Sequence, residues 1–308
     1  MPGAAGKPKQ TTVEVGGRSL PVSNLDKVLW PATGTTKGDM IDYYSRIAPV
    51  MLPHLAGRPV TLKRFPDGVG SGSFFEKNCP SHKPPWVETA KMGDVEYCLV
   101  EEPATLAWTA NLAAIELHPT LAAAPHLDRP TSVVFDLDPG EPAGMLECAR
   151  VAVLVRDLLR QLGIECWPKT SGSKGLQLYA PLNNGVTYSQ TAPFANAVAQ
   201  LLERRHADLV ISRQQRAARE GKVLIDWSQN APSKTTVSVY SLRARPEPTV
   251  STPLRWDEVD EAISKGSAQK LVFSWKEALQ RVERSGDLMA EVLKRRQSLP
   301  ELHVPESG

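Results

Sequence analysis

Nowhere in the 308 residues does an apolar run approach eighteen, and no hydrophobic stretch or small-residue cleavage pattern follows the opening MPGAAGKPKQ. Neither a membrane-spanning helix nor a secretory leader is expected, which points to a cytoplasmic protein. Cysteine is scarce. Cys79, Cys98, Cys148 and Cys166 stand far apart, with no C-x-x-C pair and no histidine at zinc-ligand spacing. That argues against a zinc module or a disulfide framework and for reduced, mostly buried thiols. An excess of one charge sign is missing as well: 36 basic residues against 34 acidic leave a formal charge of +2. Global charge therefore names no polyanionic partner, and only local clusters can do so. There is no repeat of fixed period. Proline is plentiful at 26 residues, which favours frequent loop and strand-edge breaks over a helical bundle. With 41% hydrophobic and 23% charged residues the chain has a globular composition.

Alternating polar and apolar residues predict strands at 11–15 and 20–22 around a Gly16-Gly17 turn. Residues 37–56 carry Ile41, Tyr44, Ile47, Ala48, Met51, Leu52 and Leu55 at helical spacing, with Thr36 as N-cap, Gly57 as stop, and Pro49 and Pro53 distorting the later turns. Strands are expected at 59–65, 96–100, 115–118, 132–137, 164–168, 176–180, 209–211, 223–227 and 235–240. Helices are expected at 104–113, 143–162, 189–205, 256–264 and 274–296. Such an order implies an α+β fold with mixed or antiparallel sheets flanked by helices, built as two lobes around a central cleft. Residues 1–10 and 301–308 are read as tails and 11–300 as a single catalytic domain.

The most informative stretch is Val133-Val134-Phe135-Asp136-Leu137-Asp138-Pro139-Gly140. Residues i and i+2 of a strand share a face, so the two carboxylates lie about 6–7 Å apart and repel unless a cation sits between them. Hard oxygen ligands suit Mg²⁺ or Mn²⁺, and such a pair can share two ions in phosphoryl chemistry. A strand end with two solvated aspartates is the competing reading. Asp226 lies within another apolar strand, Val223-Leu224-Ile225-Asp226-Trp227, where an unpaired carboxylate is costly to bury. It needs a cation or strong donors: either a third metal ligand or a side chain held by amides or an arginine.

Between these strands, Lys169-Thr170-Ser171-Gly172-Ser173-Lys174-Gly175 is small and basic enough to bring N–H groups, a hydroxyl and an ammonium to phosphate oxygens. It lacks the first glycine and the following helix of a P-loop, and alone is equally a polar turn. Lys63, Arg64, Lys234, Arg243 and Arg245 are further basic positions. Arg204, Arg205, Arg213, Arg216, Arg219 and Lys222 form a denser run able to track a phosphate backbone. His118 is either a core histidine or a donor to a nucleotide.

FDLDPG, KTSGSKGLQLY and VLIDWSQN occur in this order, preceded by DKVLWP, TTKGDMIDYY, GRPVTLKRFPDG and FFEKN. Together, over residues 22–258, they resemble the polymerase domain of bacterial ligase D, a branch of the archaeo-eukaryotic primase superfamily. The resemblance implies a template-dependent nucleotidyltransferase that prefers ribonucleotides and works best with Mn²⁺. Asp136, Asp138 and Asp226 match the family's metal-binding acids. Lys63, His118, Ser171, Lys174, Gln229 and Arg243 match positions that hold the nucleoside triphosphate. Asn24, Lys27 and Lys37 match the pocket for the 5′-phosphate beyond a DNA gap. Phe74 and Phe75 match the pair that stacks on template bases, with Lys77 close behind, and Arg219 falls at a mobile-loop arginine.

The chain departs from that pattern in three places. Gln177 stands where many relatives have histidine, the 89–96 hairpin is short, and residues 121–125 are alanine-rich without the usual tryptophan. No ligase or nuclease motif follows. These differences favour a stand-alone, nucleoid-associated relative filling short gaps beside a separate DNA ligase over an excised polymerase domain serving end joining. Two other classes remain open. A haloacid-dehalogenase-like phosphatase also uses D-x-D, although Gly140 occupies the place of its usual Thr or Val. A catalytically inert gap-binding module would carry the same basic positions.

Overall fold

The computed structural model describes residues 10–215 and 218–300. Strands β1 (Gln10–Val15) and β2 (Arg18–Ser23) form the expected hairpin. Gln10, expected in the tail, is already in its register opposite Ser23. A second small hairpin, β3 (Val28–Trp30) and β4 (Thr35–Thr36), leads into α1 (Lys37–Leu55). Thr36 caps α1 as expected: its hydroxyl accepts from the Asp39 N–H, and the Asp39 carboxylate accepts from the Thr36 N–H. The helix runs through Pro49 and Pro53, and Gly57, at φ +68°, turns the chain away.

One five-stranded sheet is built on β5 (Val60–Arg64). It pairs antiparallel with β6 (Phe74–Glu76) and, at Val60 only, with β8 (Val95–Cys98), which carries β7 (Thr89–Met92). On its other side lies β9 (Ala114–Pro119), reached through α2 (Pro103–Asn111). Trp30, Tyr43, Tyr44, Ile47, Met51, Leu62, Leu106 and Leu117 fill the core between this sheet, α1 and α2. Here the expectation of reduced cysteines is overturned, because Cys79 and Cys98 form a disulfide. The Cys79 N–H donates to the Glu96 carbonyl, a contact that draws the two Cα atoms to 4.8 Å. Cys148 and Cys166 are free and buried, as expected.

The other five-stranded sheet has the order β11 (Trp167–Thr170), β12 (Leu176–Pro181), β10 (Ser132–Pro139), β14 (Val223–Asp226), β13 (Val210–Ile211). All its pairings are antiparallel except β13 with β14. Helices α3 (Met145–Gln161), α4 (Tyr188–Arg205) and α5 (Trp256–Lys265) cover one face. Alternation along β10 sends Val133, Phe135 and Leu137 into that helix-packed core, each worth about 1.5–3 kcal/mol of burial. Val134, Asp136 and Asp138 are thereby left on the opposite face, towards the first sheet.

Three expectations fail locally. Strand β11 starts three residues late and takes in Lys169 and Thr170. Residues 235–240 do not form a strand. Thr236 and Ser238 donate to Pro119 and Leu117 of β9, but the Val237 carbonyl turns the other way and accepts from Lys169. Helix α6 (Trp275–Ser285) stops at Gly286, well short of 296, and Asp287 beyond it accepts from His54 and Tyr240. The two-stranded pair β15 (Leu242–Arg243) and β16 (Thr249–Val250) connects the lobes.

Candidate active site

A polar row crosses the second sheet on the face away from its helices. Asp226 of β14 is opposite Asp136 of β10, Asp136 is opposite Gln177 of β12, and Gln177 is opposite Lys169 of β11. Directly opposed residues share a face, so one register places all four side chains together. Asp138 joins them two residues along β10. Asp136, Asp138, Gln177, Ser171, Ser173, Lys174, Arg219 and Arg243 then border a cavity of about 500 Å³, closed from the first sheet by Phe75 and His118.

Burial pushes the Asp136 carboxyl up to about 7, and the Asp138 charge adds to this, while Gln177 and Lys169 oppose it. Asp138 is raised too, by burial and then by Asp226. Asp226 accepts hydrogen bonds from Gln214 Nε2 at 2.8 Å, the Ser228 N–H at 3.0 Å and hydroxyl at 2.6 Å, and Gln229 Nε2 at 2.9 Å. Gln214 is in turn held by Arg219 Nη2 at 2.9 Å. Asn230 closes the end of β14 by bonding both the N–H and the carbonyl of Val134. Among the described residues, no three carboxylate, imidazole or thiolate groups stand close enough to hold one ion between them in this conformation. The donor set nevertheless fits a divalent cation. It consists of hard oxygens, and Asp136 and Asp138 repel each other with no ion-pair partner among the described residues.

The turn between β11 and β12 is a cradle. Ser171 Oγ accepts from the Ser173 and Gly175 N–H groups at 3.3 and 3.2 Å, and Lys174 reaches outward to Glu141 at 2.6 Å. Gly172, at φ +68°, packs so tightly that a Cβ would lie 2.7 Å from the Ser251 nitrogen. At Gly140 a Cβ would fall 2.0 Å from the Arg219 carbonyl, so only glycine lets the Arg219 loop approach the aspartates.

On the first sheet a second row faces this one: Phe75 opposite Lys63, and Lys63 opposite Glu116, with His118 two residues further along β9. Phe74 and Phe75 are exposed, backed by Arg64 and Lys63 at 5.3 Å from their rings, and Lys77 is exposed beside them. Phe75 meets the His118 ring edge-on at 5.7 Å. Glu116, buried and absent from the expected site, accepts from His118 at 2.9 Å and lies 3.4 Å from Arg243 and 3.7 Å from Lys63. Burial alone would raise its carboxyl, but His118, Arg243 and Lys63 outweigh this and hold it near 2. His118 is itself lowered, because burial outweighs Glu116.

Lys169 was not anticipated as a site residue either. It is fully buried and donates to Gln177 Oε1 (2.6 Å), Ser251 Oγ (2.6 Å) and the Val237 carbonyl (3.1 Å), and burial lowers its ammonium to about 7. Glu116 had an available signal, its i−2 offset from His118 on one strand, whereas the role of Lys169 follows from the pairing of β11 with β12.

Asn24, Lys27 and Lys37 meet elsewhere. Lys37 opens α1, its N–H bonds the Lys27 carbonyl, and Asn24 makes the preceding turn at φ +55°. Burial and the Lys27 charge lower the Lys37 ammonium to about 8. Lys27 is paired with Asp67 at 3.1 Å, and the first N–H groups of α1 bond the Lys27 and Leu25 carbonyls and the Thr36 hydroxyl. Arg204, Arg205 and Arg213 of the dense basic run are exposed. Arg213 pairs with Glu203, Arg204 and Arg205 end α4, and Arg216 lies outside the described residues.

Residues 36–289 match the family described as LigD, primase-polymerase domain. The chain is 45% identical over 280 residues to the multifunctional non-homologous end joining DNA repair protein LigD of Mycobacterium tuberculosis, covering 87% of this chain and 36% of that protein. Against the bifunctional LigD of Bacillus subtilis the identity is 32%, over 87% of this chain and 43% of the other. The chain thus spans well under half the length of these relatives. The solved polymerase domain of M. tuberculosis ligase D in complex with DNA superposes with a TM-score of 0.83 at 43% identity, covering 90% of this chain and 99% of that one. With this match over most of its length, the chain belongs to the LigD primase-polymerase domain family and is a nucleotidyltransferase of the primase-polymerase class.

Proposed function

We propose that the chain extends a primer strand across short DNA gaps, directed by the template, preferring ribonucleoside triphosphates and recognising the 5′-phosphate on the far side. The observation that carries this reading is the convergence of Asp136, Asp138, the 171–175 cradle, His118 and Arg243 on one cavity. Asp136, Asp138 and Asp226 would hold divalent ions, Mn²⁺ or Mg²⁺, two in number. Such ions, when bound, make the primer 3′-hydroxyl more acidic and neutralise charge on the triphosphate and leaving pyrophosphate.

The chain's own residues do the positioning. Ser171 and Lys174 offer a hydroxyl and an ammonium to phosphate oxygens, Lys63 and His118 present donors from the facing sheet, and Arg243 presents its own from β15. Gln229 acts through Asp226, which it holds by hydrogen bond. Phe74 and Phe75, half exposed over cationic groups, offer a sequence-tolerant stacking platform for template bases, and Lys77 and Arg219 contact the backbone. The Asn24, Lys27 and Lys37 site lies where β4 runs into α1 and takes the 5′-phosphate. We place the enzyme in the cytoplasm, at the nucleoid, as a single catalytic unit over residues 11–300, with a separate ligase sealing the product.

End joining is the second reading, favoured by the relatives' names; the short β7–β8 turn at Gly93 and Asp94 favours gap filling. Nucleotide addition to gaps of one to several nucleotides, with and without the 5′-phosphate, tests the proposal. Efficient ribonucleotide incorporation that depends on the phosphate is expected. Release of inorganic phosphate from small esters without any primer extension would replace it with a phosphatase.

A further inference from the structure

Lys63, His118 and Arg243 come from three different strands, yet among the described residues each has the same single carboxylate partner, Glu116. Glu116 does not border the cavity. Its side chain is 3% exposed, and the Ala244 N–H bonds its Oε1 at 3.2 Å, tying the carboxylate to the chain just after Arg243. His118 and Arg243 border the cavity, with side chains 12% and 19% exposed, and Lys63, 25% exposed, sets its ammonium 5.3 Å from the rings of Phe65 and Phe75. Two like charges, the Lys63 ammonium and the Arg243 guanidinium, repel unless a counter-charge holds them, and the His118 ring, whose protonation burial disfavours, is fixed by its hydrogen bond to the same carboxylate. A carboxylate behind the cations orders them, and it also weakens their pull on any anion in front.

We propose that Glu116 is a positioning residue for nucleotidyl transfer: it aims Lys63, His118 and Arg243 and offsets the charge of the two basic side chains, so that the leaving pyrophosphate is not retained. The inference rests on the reading of Lys63, His118 and Arg243 as nucleotide-phosphate groups.

Charge and geometry separate in two substitutions. Glu116→Gln keeps the length and an acceptor but removes the charge; Glu116→Asp keeps the charge but withdraws it by one methylene. Steady-state extension of a gapped duplex with ATP opposite template thymine is measured in excess Mn²⁺, with inorganic pyrophosphate as inhibitor and thermal melts as the control for folding. Glu116→Gln is expected to bind pyrophosphate about tenfold more tightly, to show an unchanged or lower KM for ATP, and to lose about tenfold in kcat. Glu116→Asp is expected to lose kcat with pyrophosphate inhibition near the wild-type value. A Glu116→Gln enzyme whose KM rises and whose pyrophosphate inhibition weakens would overturn the inference, because that pattern marks a merely structural carboxylate. Lys63→Ala and Arg243→Ala report on the underlying reading. Weaker pyrophosphate inhibition in both supports it, and unchanged inhibition in both removes the nucleotide site and the role of Glu116 with it.

Discussion

Asp136→Asn should stabilise the metal-free protein while destroying its activity. Asp136 and Asp138 sit two residues apart on β10, about 6–7 Å by strand geometry. At an effective dielectric near 20 their repulsion is about 2.5 kcal/mol. Burial, the larger cause, contributes to the rise of Asp136 from the ordinary 3.8 to about 7, which as a whole corresponds to about 4 kcal/mol. The folded carboxylate is thus harder to ionise than the unfolded one. The resulting penalty is absent below about pH 4, grows between pH 4 and 7 and is complete above 7. Urea denaturation in EDTA at pH 8 should therefore show Asp136→Asn more stable than wild type by about 2–4 kcal/mol, the gain shrinking towards zero at pH 4. Adding Mn²⁺ should narrow the gap by stabilising wild type alone. A variant no more stable than wild type at pH 8 in EDTA would refute the idea that burial and the Asp138 charge make ionised Asp136 destabilising.

Replacing Lys27 and Lys37 together with alanine should abolish the preference for 5′-phosphorylated gaps and leave simple primer extension intact, measured on matched substrates; equal losses on both would contradict a separate phosphate site. Asp287 is partly buried, which raises its carboxyl, but His54, Tyr240 and the Met289 N–H outweigh this and hold it below 3.8. Its contribution to stability is therefore present above about pH 4 and lost as pH falls through that lowered value. Asp287→Asn should cost about 1–3 kcal/mol at pH 7 and progressively less below pH 4, as read by thermal melts across pH. Reducing Cys79–Cys98, which closes a loop of sequence separation 19, should lower stability by about 3 kcal/mol in denaturant titrations with and without a dithiol.

Much of this site could be read from residue order alone, because a strand's two-residue period decides faces without knowledge of the fold. Val133, Phe135 and Leu137 against Asp136 and Asp138 is that alternation, and the helix cap at Thr36 is equally local. What could not be read depends on which strand lies beside which. The pairing of Asp226 with Asp136, and the convergence of Lys63, His118 and Arg243 on Glu116, are set by tertiary register. The same limit explains the failures. Residues 235–240 are rich in β-branched side chains, but Lys169 captures the Val237 carbonyl that a further strand would have used. The disulfide joins cysteines brought together by tertiary contacts of Cys79 and Asn78 with the Glu96 backbone. Amphipathic spacing past Ser285 concealed the stop at Gly286, where Asp287 anchors the chain to His54 and Tyr240.

The central claim is that Asp136 and Asp138 hold the ions for nucleotidyl transfer while DNA is gripped elsewhere. Its most direct test measures ribonucleotide incorporation and gapped-DNA binding side by side for wild type and the Asp136→Ala, Asp138→Ala double variant in Mn²⁺. Extension should fall to background with affinity for the 5′-phosphorylated gap retained; a double variant that still extends the primer would contradict the account.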